Sequence, residues 1–517
     1  MYHMYIFRTA AALLCASVLA APAQARVSLS YINGPGSAAA VSSTQGALNQ
    51  VSPAWLELNP DGSLRLTGTS RSFVEEMHRQ DMAVLPFLSN HWHRALGQAA
   101  LDNREALTDQ LAQLVRDYDL DGISLDLENM TKEHADEYTD MVRLLRQKLP
   151  KGKQIAVAVA ANPRNFITGW HASYDYAGLA EWADYLMLMT YDEHYRGGEA
   201  GPVASVDFVE QSIRYALEQV PAEQLVLGVA FYGRIWGTDN VDVQGVGIRE
   251  VQLSQLMEQY GTGTAYDETA AATVSTLVIP ETASVSVAGV PLTAGEYTVW
   301  HSGEQGRKEI LKLVEEYDLL GAGSWSLGQE TADTWNYYNL WLHGAYFDDL
   351  VGHWSRNEVA QAVHEGWVRG VDESRFAPES ILTRAQTAAL LNRLLDLPAG
   401  TASFTDTEGH WAEADIAAAA AAGLVEGRGE GIFAPDAPVT RQELALMLYR
   451  AAGSPKTDSD ALRDYRDGES VSDWAKSAMA WAVEQGILTG SGGKLLPRTG
   501  TTRAQAVTLL ARYAETL

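Results

Sequence analysis

The sequence predicts an α/β fold. It reads as a (β/α)8 TIM barrel with a small β-rich insertion after strand seven, followed by three mainly α-helical repeats. Three observations predict it. From Val27 to about His343, strand-like and helix-like stretches alternate eight times, the pattern of a closed parallel barrel. Residues 240–298 break that rhythm with Thr, Val, Ser and Ala and with period-two alternation in Thr273–Ile279 and Ser284–Val290, as β-branched strands do. After His343, two separate motifs recur with one shared spacing, which marks repeated units.

The predicted strands follow in order. They are Val27–Tyr31, Val51–Leu58 (closed by the turn Asn59-Pro-Asp-Gly62), Ala83–Leu88, Gly122–Leu127, Ile155–Ala160, Tyr185–Met189, Leu225–Phe231 and Ala322–Leu327. Helices fill the intervals. In Arg104–Tyr118 the apolar residues Leu107, Leu111, Leu114, Val115 and Tyr118 form one face. In the tail, Trp354 and Trp411 lie 57 residues apart, as do Arg384 and Arg441. Thr383-Arg384, Thr440-Arg441 and Thr502-Arg503 each open a helix, with Thr suited to N-capping. Glu358–Glu365, Ala414–Ala422 and Ala475–Glu484 read as the partner helices.

The fourth strand carries the chemistry. In Asp121-Gly-Ile-Ser-Leu-Asp-Leu-Glu-Asn129, Ile123, Leu125 and Leu127 point one way, and Ser124, Asp126 and Glu128 the other. Two carboxylates this close are not both comfortably ionised, so one is expected to have a raised pKa. A carboxyl protonated near neutrality is a general acid. The end of a barrel strand is where catalytic groups sit.

Bulk properties narrow the function. A chain of 517 residues exceeds one core. Residues 1–25 read as a secretory signal peptide, with Arg8, an apolar Ala10–Ala20 and a small-residue cleavage site at Ala23-Gln24-Ala25. The single cysteine, Cys15, leaves with it, which excludes disulfides and thiolate sites from the mature chain. No later stretch is long and apolar enough to span a membrane. A net charge of −28 argues against nucleic acid as a partner. His91 and His93 have no third ligand in sight, so no metal site and no cofactor is expected.

The barrel resembles glycoside hydrolase family 18, on four motifs: Asp121–Glu128, Met189-Thr-Tyr-Asp192, Phe231-Tyr-Gly-Arg234 and Trp325 within Gly323–Leu327. Ser124 stands where that family commonly has Asp. Tyr191-Asp-Glu-His194 with Gly197-Gly198 and Gly201-Pro-Val203 resembles its spore-cortex and peptidoglycan N-acetylglucosaminidase-like branch. The repeats resemble S-layer homology domains, on Tyr346–Trp354 and Ser403–Trp411, Arg375-Phe-Ala-Pro378 and Ile432-Phe-Ala-Pro435, and the Thr-Arg motifs. The expected domains are a signal at 1–25, a barrel at 26–343 with its insertion at 240–298, and S-layer homology repeats at 344–400, 401–460 and 461–517.

The resemblance implies substrate-assisted, retaining hydrolysis of β-linked N-acetylglucosamine glycan. Glu128 is then the acid, Asp126 orients the substrate's acetamido group, and Tyr191 positions its carbonyl. Trp325 floors the sugar, and Asp192, Met189, Asn90, Tyr232 and Arg234 contact substrate. Ser124 is expected to hydrogen-bond Asp126. In the repeats, Arg384, Arg441 and Arg503, with Trp354 and Trp411, are implied to bind a secondary cell-wall polymer, as guanidinium suits a pyruvyl carboxylate. The implied setting is secreted, at a bacterial cell wall or S-layer. A chitinase, and a non-catalytic glycan-binding protein on the same barrel, are the alternative readings.

Overall fold

The computed structural model describes residues 26–33 and 37–517; the expected signal peptide lies outside them. The barrel region contributes β1 (Val27–Ile32), β2 (Gln50–Pro53), β3 (Leu56–Leu58), β4 (Leu64–Leu66), β5 (Ala83–Val84), β6 (Phe87–Ser89), β7 (Gly122–Asp126), β8 (Gln154–Ala160), β9 (Tyr185–Met189) and β10 (Leu225–Ala230). Between them run α1 (Ala38–Ser42), α2 (Arg71–His78), α3 (Arg94–Asp102), α4 (Arg104–Tyr118), α5 (Ala135–Lys148), α6 (Tyr176–Trp182) and α7 (Val206–Leu217).

The stretch Val51–Leu58, read as one strand, is broken. Trp55 turns inward between β2 and β3, fully buried. Pro86 likewise divides β5 from β6, since proline has no N–H for the ladder. Parallel pairings run from β6 through β7, β8, β9 and β10 to a late strand, Gly321–Trp325, and on to β1 and β2. β2 pairs β5, and β3 pairs β6. The result is a curled, mostly parallel sheet in a mixed α/β fold. Both its faces are buried, as parallel sheets require. Leu29, Tyr31, Phe87, Tyr185, Met187 and Val226 pack together inside the curl, while Leu125, Leu127, Val157 and Leu227 pack outward against the helices.

A second sheet follows β10 in the chain. It comprises β11 (Tyr232–Gly237), β12 (Gln244–Arg249), β13 (Gly261–Asp267), β14 (Ala272–Ile279) and β17 (Gly295–His301), all antiparallel, with α8 (Glu250–Tyr260) packed on it. Ser284–Val290, read as a continuous alternating stretch, is instead a hairpin of β15 (Val285–Val287) and β16 (Val290–Leu292). Ala288 and Gly289 both take positive φ at its tip, the geometry a two-residue hairpin turn needs. The chain then returns through α9 (Gly303–Glu316) to β18 (Gly321–Trp325) and α10 (Tyr338–Leu342).

Beyond it lie α11 (Arg356–His364), α12 (Arg384–Leu395), α13 (Glu413–Ala421), α14 (Arg441–Ala451), α15 (Lys476–Glu484) and α16 (Arg503–Ala514). Thr383, Thr440 and Thr502 cap α12, α14 and α16, each in a reciprocal capping box. The repeats close on one another. Isolated bridges join Thr383 to Pro438, Thr440 to Gly500 and Ile381 to Thr502. The first repeat is also fixed to the barrel. Arg356 Nη2 donates to Gln45 Oε1 (2.7 Å), Asn357 Nδ2 to the Gln45 carbonyl (2.8 Å), and Arg26 Nε to His364 Nδ1 (3.2 Å). One continuous apolar core runs from the barrel helices into the repeats. No helix among the described residues is long and apolar enough to cross a membrane.

Candidate active site

Asp126 ends β7 and is buried; Glu128 follows two residues on, partly exposed. The segment carrying them is held from three sides. The Asn90 amide takes the Glu128 backbone at both ends, Oδ1 accepting its N–H and Nδ2 donating to its carbonyl, each at 2.8 Å. Leu127 between the acids donates its N–H to Tyr138 Oη and accepts from Tyr174 Oη (3.4 and 3.1 Å). Arg94 Nε donates to the Asn129 carbonyl at 2.7 Å. Asn90, expected to contact substrate, is fully buried. Its amide is committed to placing Glu128.

The electrostatics set the acids apart from ordinary carboxylates. Burial pushes Asp126 up to about 6, against a hydrogen bond to Ser89 that lowers it. Burial, then the charges of Asp126 and Asp192, push Glu128 up to about 8. Asp126 Oδ1 is buried with no hydrogen-bond partner, and such a group costs free energy unless something supplies a donor. Ser124 does not supply one. Its hydroxyl pairs with Tyr31 Oη at 3.2 Å across the barrel interior, which corrects the expected Ser124–Asp126 bond.

Tyr191, Trp325 and Met189 pack on the apolar cluster inside the curl, and burial first of all raises the Tyr191 hydroxyl well above its usual range, with the charges of Asp126 and Glu128 among the further causes. Asp192 is engaged on both oxygens. Tyr232 Oη donates to Oδ1 (2.5 Å), Arg234 Nε to Oδ1 (2.9 Å), and Arg234 Nη2 meets Oδ2 (2.7 Å). Tyr232 and Arg234, expected to contact sugar, thus hold Asp192 in place. Asp192, Tyr232, Arg234 and Trp325 line a cleft of about 340 Å3 together with Gly247 and Arg249 of β12, Gln252 of α8, Ala288 at the tip of the β15–β16 hairpin, and Gln329. Asp121 lies at the strand's entry, accepting from Val84 N–H and His78 Nε2 (2.9 and 2.8 Å), so it serves the barrel rather than the cleft.

Two features were not assembled by the sequence reading, although Trp92 was read there as a groove residue beside Asn90, His91 and His93. Trp92, Trp170, His171 and Phe166 form a row of rings with successive centroids 5.0, 4.2 and 4.9 Å apart. Trp92 and Phe166 are exposed. The second feature is Arg249, whose place in the cleft follows from its ladder position opposite Tyr232.

In the repeats, Arg384 and Arg441 reach forward into the next repeat, and Arg503 reaches from the third repeat back to the first. Arg384 donates to the carbonyls of Phe433 and Glu426 (2.9 and 2.6 Å). Arg441 donates to that of Leu495 (3.1 Å), and Arg503 to those of Phe376 and Arg369 (2.9 and 2.8 Å). The guanidiniums of Arg384 and Arg503 also lie over the Phe433 and Phe376 rings. These bonds join the repeats to one another. Trp354 and Trp411 are exposed, and each packs on the preceding histidine.

Comparison with known proteins agrees with this geometry. The model for glycosyl hydrolases family 18 matches residues 83–330, and that for the S-layer homology domain matches 346–388, 403–445 and 464–507. An uncharacterized glycosylase, YvbX, of Bacillus subtilis is 27% identical over 249 residues, covering 46% of this chain and 67% of that protein. The cortical fragment-lytic enzyme of the same organism is 26% identical, covering 51% of this chain and 61% of that protein. The S-layer protein sap of Bacillus anthracis is 32% identical over 33% of this chain and 21% of its own length. This chain thus spans less than two thirds of the latter two. The Bacillus cereus spore cortex-lytic enzyme SleL superposes with a TM-score of 0.53 at 18% identity, over 60% of this chain and 73% of that one. A Chromobacterium violaceum chitinase does so at 0.53 and 22%, over 65% and 99%. At such identities these two structures speak to the fold alone.

Proposed function

We propose that this chain, which carries a glycosyl hydrolase family 18 domain followed by three S-layer homology domains, is a cell-surface-associated glycosidase that cleaves β-linked N-acetylated glycan by substrate-assisted, retaining catalysis. The single observation that carries the reading is the unpartnered, buried Asp126 Oδ1 beside a Glu128 whose pKa is raised. In this reading the parallel strands form a (β/α)8 barrel, the second sheet is its insertion after strand seven, and the repeats are mainly helical units.

Glu128, protonated near neutrality, gives its proton to the leaving glycosidic oxygen. Asp126 Oδ1 accepts the acetamido N–H of the sugar on Trp325, and its charge offsets the positive charge growing at the anomeric carbon. The acetamido carbonyl, positioned by the Tyr191 hydroxyl, attacks that carbon from within the substrate. This makes the step intramolecular and dispenses with an enzyme nucleophile. Glu128, now ionised, takes a proton from the water that opens the oxazolinium ring. Tyr232 and Arg234 keep Asp192 aimed at the same sugar. Ser124, paired with Tyr31, leaves Asp126 without the neighbouring acid common in chitinases. That departure, with the cortex-lytic relatives, favours peptidoglycan-related glycan as substrate.

The repeats anchor the enzyme to a secondary cell-wall polymer. Exposed Trp354 and Trp411 are offered to it, and Arg384, Arg441 and Arg503 order the grooves between repeats. The test of the catalytic reading is hydrolysis of N-acetyl-chitooligosaccharides and peptide-free glycan strands by wild type and Glu128→Gln. The expected outcome is turnover by wild type and a rate lower by about 10^2- to 10^4-fold in the variant. Tight binding without turnover by wild type would instead make the protein a glycan-binding one.

A further inference from the structure

Arg249 is a cation with no partner in a place where partners are plentiful. The chain has 66 acidic residues against 38 Lys and Arg, yet among the described residues the Arg249 guanidinium makes no hydrogen bond or ion pair. It closes β12, pairs across the ladder with Tyr232, and lines the cleft with Trp325, Asp192 and Arg234. Arg234, two residues beyond Tyr232 on β11, shows the alternative. It is tied to both oxygens of Asp192 and to the Gly245 carbonyl at 2.7 Å. One arginine of the cleft is therefore built into the protein, and the other is left open towards whatever enters.

An open guanidinium offers a planar fork matched to a carboxylate. Arg249 is exposed, so the match of its fork to a carboxylate contributes more than unscreened charge. The rest of the molecule makes such a group necessary for one class of substrate. A chain of net charge −28, with Asp126 ionised at the site and Asp192 already matched by Arg234, repels an anionic glycan, and a further local cation offsets that. A polymer of N-acetylglucosamine alone is neutral and has no use for it. In a strand that alternates N-acetylglucosamine with its lactyl-ether derivative, the sugar adjoining the one on Trp325 bears an acid.

We infer that Arg249 binds a carboxylate of the substrate and selects acid-bearing N-acetylated glycan over neutral glycan. The inference rests on the reading of the cleft as a glycan-cleaving site. The carboxylate has two sources: the lactyl group once freed of peptide, or the stem peptide itself. If it is the lactyl group, an amide hydrolysis that strips the peptide must precede this enzyme, because the lactyl carboxylate is otherwise blocked.

The test measures kcat/KM of the full chain on three glycans of equal length: neutral N-acetylglucosamine oligomer, peptide-free alternating glycan, and the same glycan bearing stem peptides. The quantity read is the ratio of each acidic glycan to the neutral one. In Arg249→Gln that ratio is expected to fall about 10- to 100-fold, mostly through KM, and in Arg249→Lys to recover in part, since charge without the fork binds a carboxylate less well. A fall on peptide-free glycan places the carboxylate on the lactyl group, and a fall on peptide-bearing glycan alone places it on the stem. An unchanged ratio in both variants overturns the inference while leaving the hydrolase reading intact. Failure of wild type to cleave any of the three overturns both.

Discussion

The candidate active site and the repeats hold carboxylates in opposite ways. In the repeats, Asp349, Asp406 and Asp467 each accept two successive backbone N–H groups, from Phe376 and Ala377, Phe433 and Ala434, and Leu495 and Leu496, at 2.7–2.9 Å. Burial works to raise Asp406 and Asp467, and the N–H donors outweigh it, holding both below the usual carboxylate range. In the cleft, burial acts on Asp126 and Glu128 with little to oppose it, and both are held above that range. The same side chain is a fastening in one region and, in the proposed function, a reactant in the other. What separates them is the number of donors the backbone supplies.

The largest expected effect lies in the cleft. Asp126→Asn keeps the shape and removes the charge, and is expected to lower kcat by about 10^2- to 10^3-fold. Because the Asp126 charge helps raise Glu128, the alkaline limb of the rate profile should also move to lower pH. A variant that loses rate without moving that limb would break the coupling of the two acids.

A smaller effect is expected in the repeats. Asp406→Ala leaves the Phe433 and Ala434 N–H groups without their acceptor, and should cost about 2 kcal/mol in denaturant unfolding of the full chain. The pH sign is opposite to that of the cleft. A carboxylate held below its unfolded pKa stabilises the fold above that value and loses this as pH falls through the lowered one. Asp406→Ala should therefore matter least in acid. An unfolding curve identical to wild type at neutral pH would show that the paired N–H bonds fasten nothing.

How much of this was legible in the sequence follows from the range of each interaction. The period-two pattern around Asp126 and the Thr caps of α12, α14 and α16 act over a few residues, so the sequence displays them. The breaks at Trp55 and Pro86 depend on how a bent strand meets its neighbours, and alternation alone read through them. Tyr31 and Ser124 meet across 93 residues, and Arg503 reaches the Phe376 carbonyl across 127. No local signal reports such partners, which is why Ser124 was expected to face Asp126 and the repeat arginines a ligand. Asn90 looked like a groove residue because it sits beside His91 and Trp92. Only the fold shows its amide turned to the Glu128 backbone. Trp170, His171 and Phe166 lie on an irregular stretch with no periodicity to mark them.

Asp126 and Glu128 differ from the repeat carboxylates in the donors they lack, and their raised pKa values follow from burial that few donors oppose. The pH dependence of kcat/KM on an N-acetylated oligosaccharide tests it most directly, because it reports the pair's own ionisations in the free enzyme. Below about 6 Asp126 gains a proton and can no longer offer charge to the substrate, and above about 8 Glu128 loses the proton it must donate. The account predicts a bell with limbs near those values, falling about tenfold per pH unit outside them. A rate that declined steadily above pH 5 would mean that both acids ionise as ordinary carboxylates, and would contradict it.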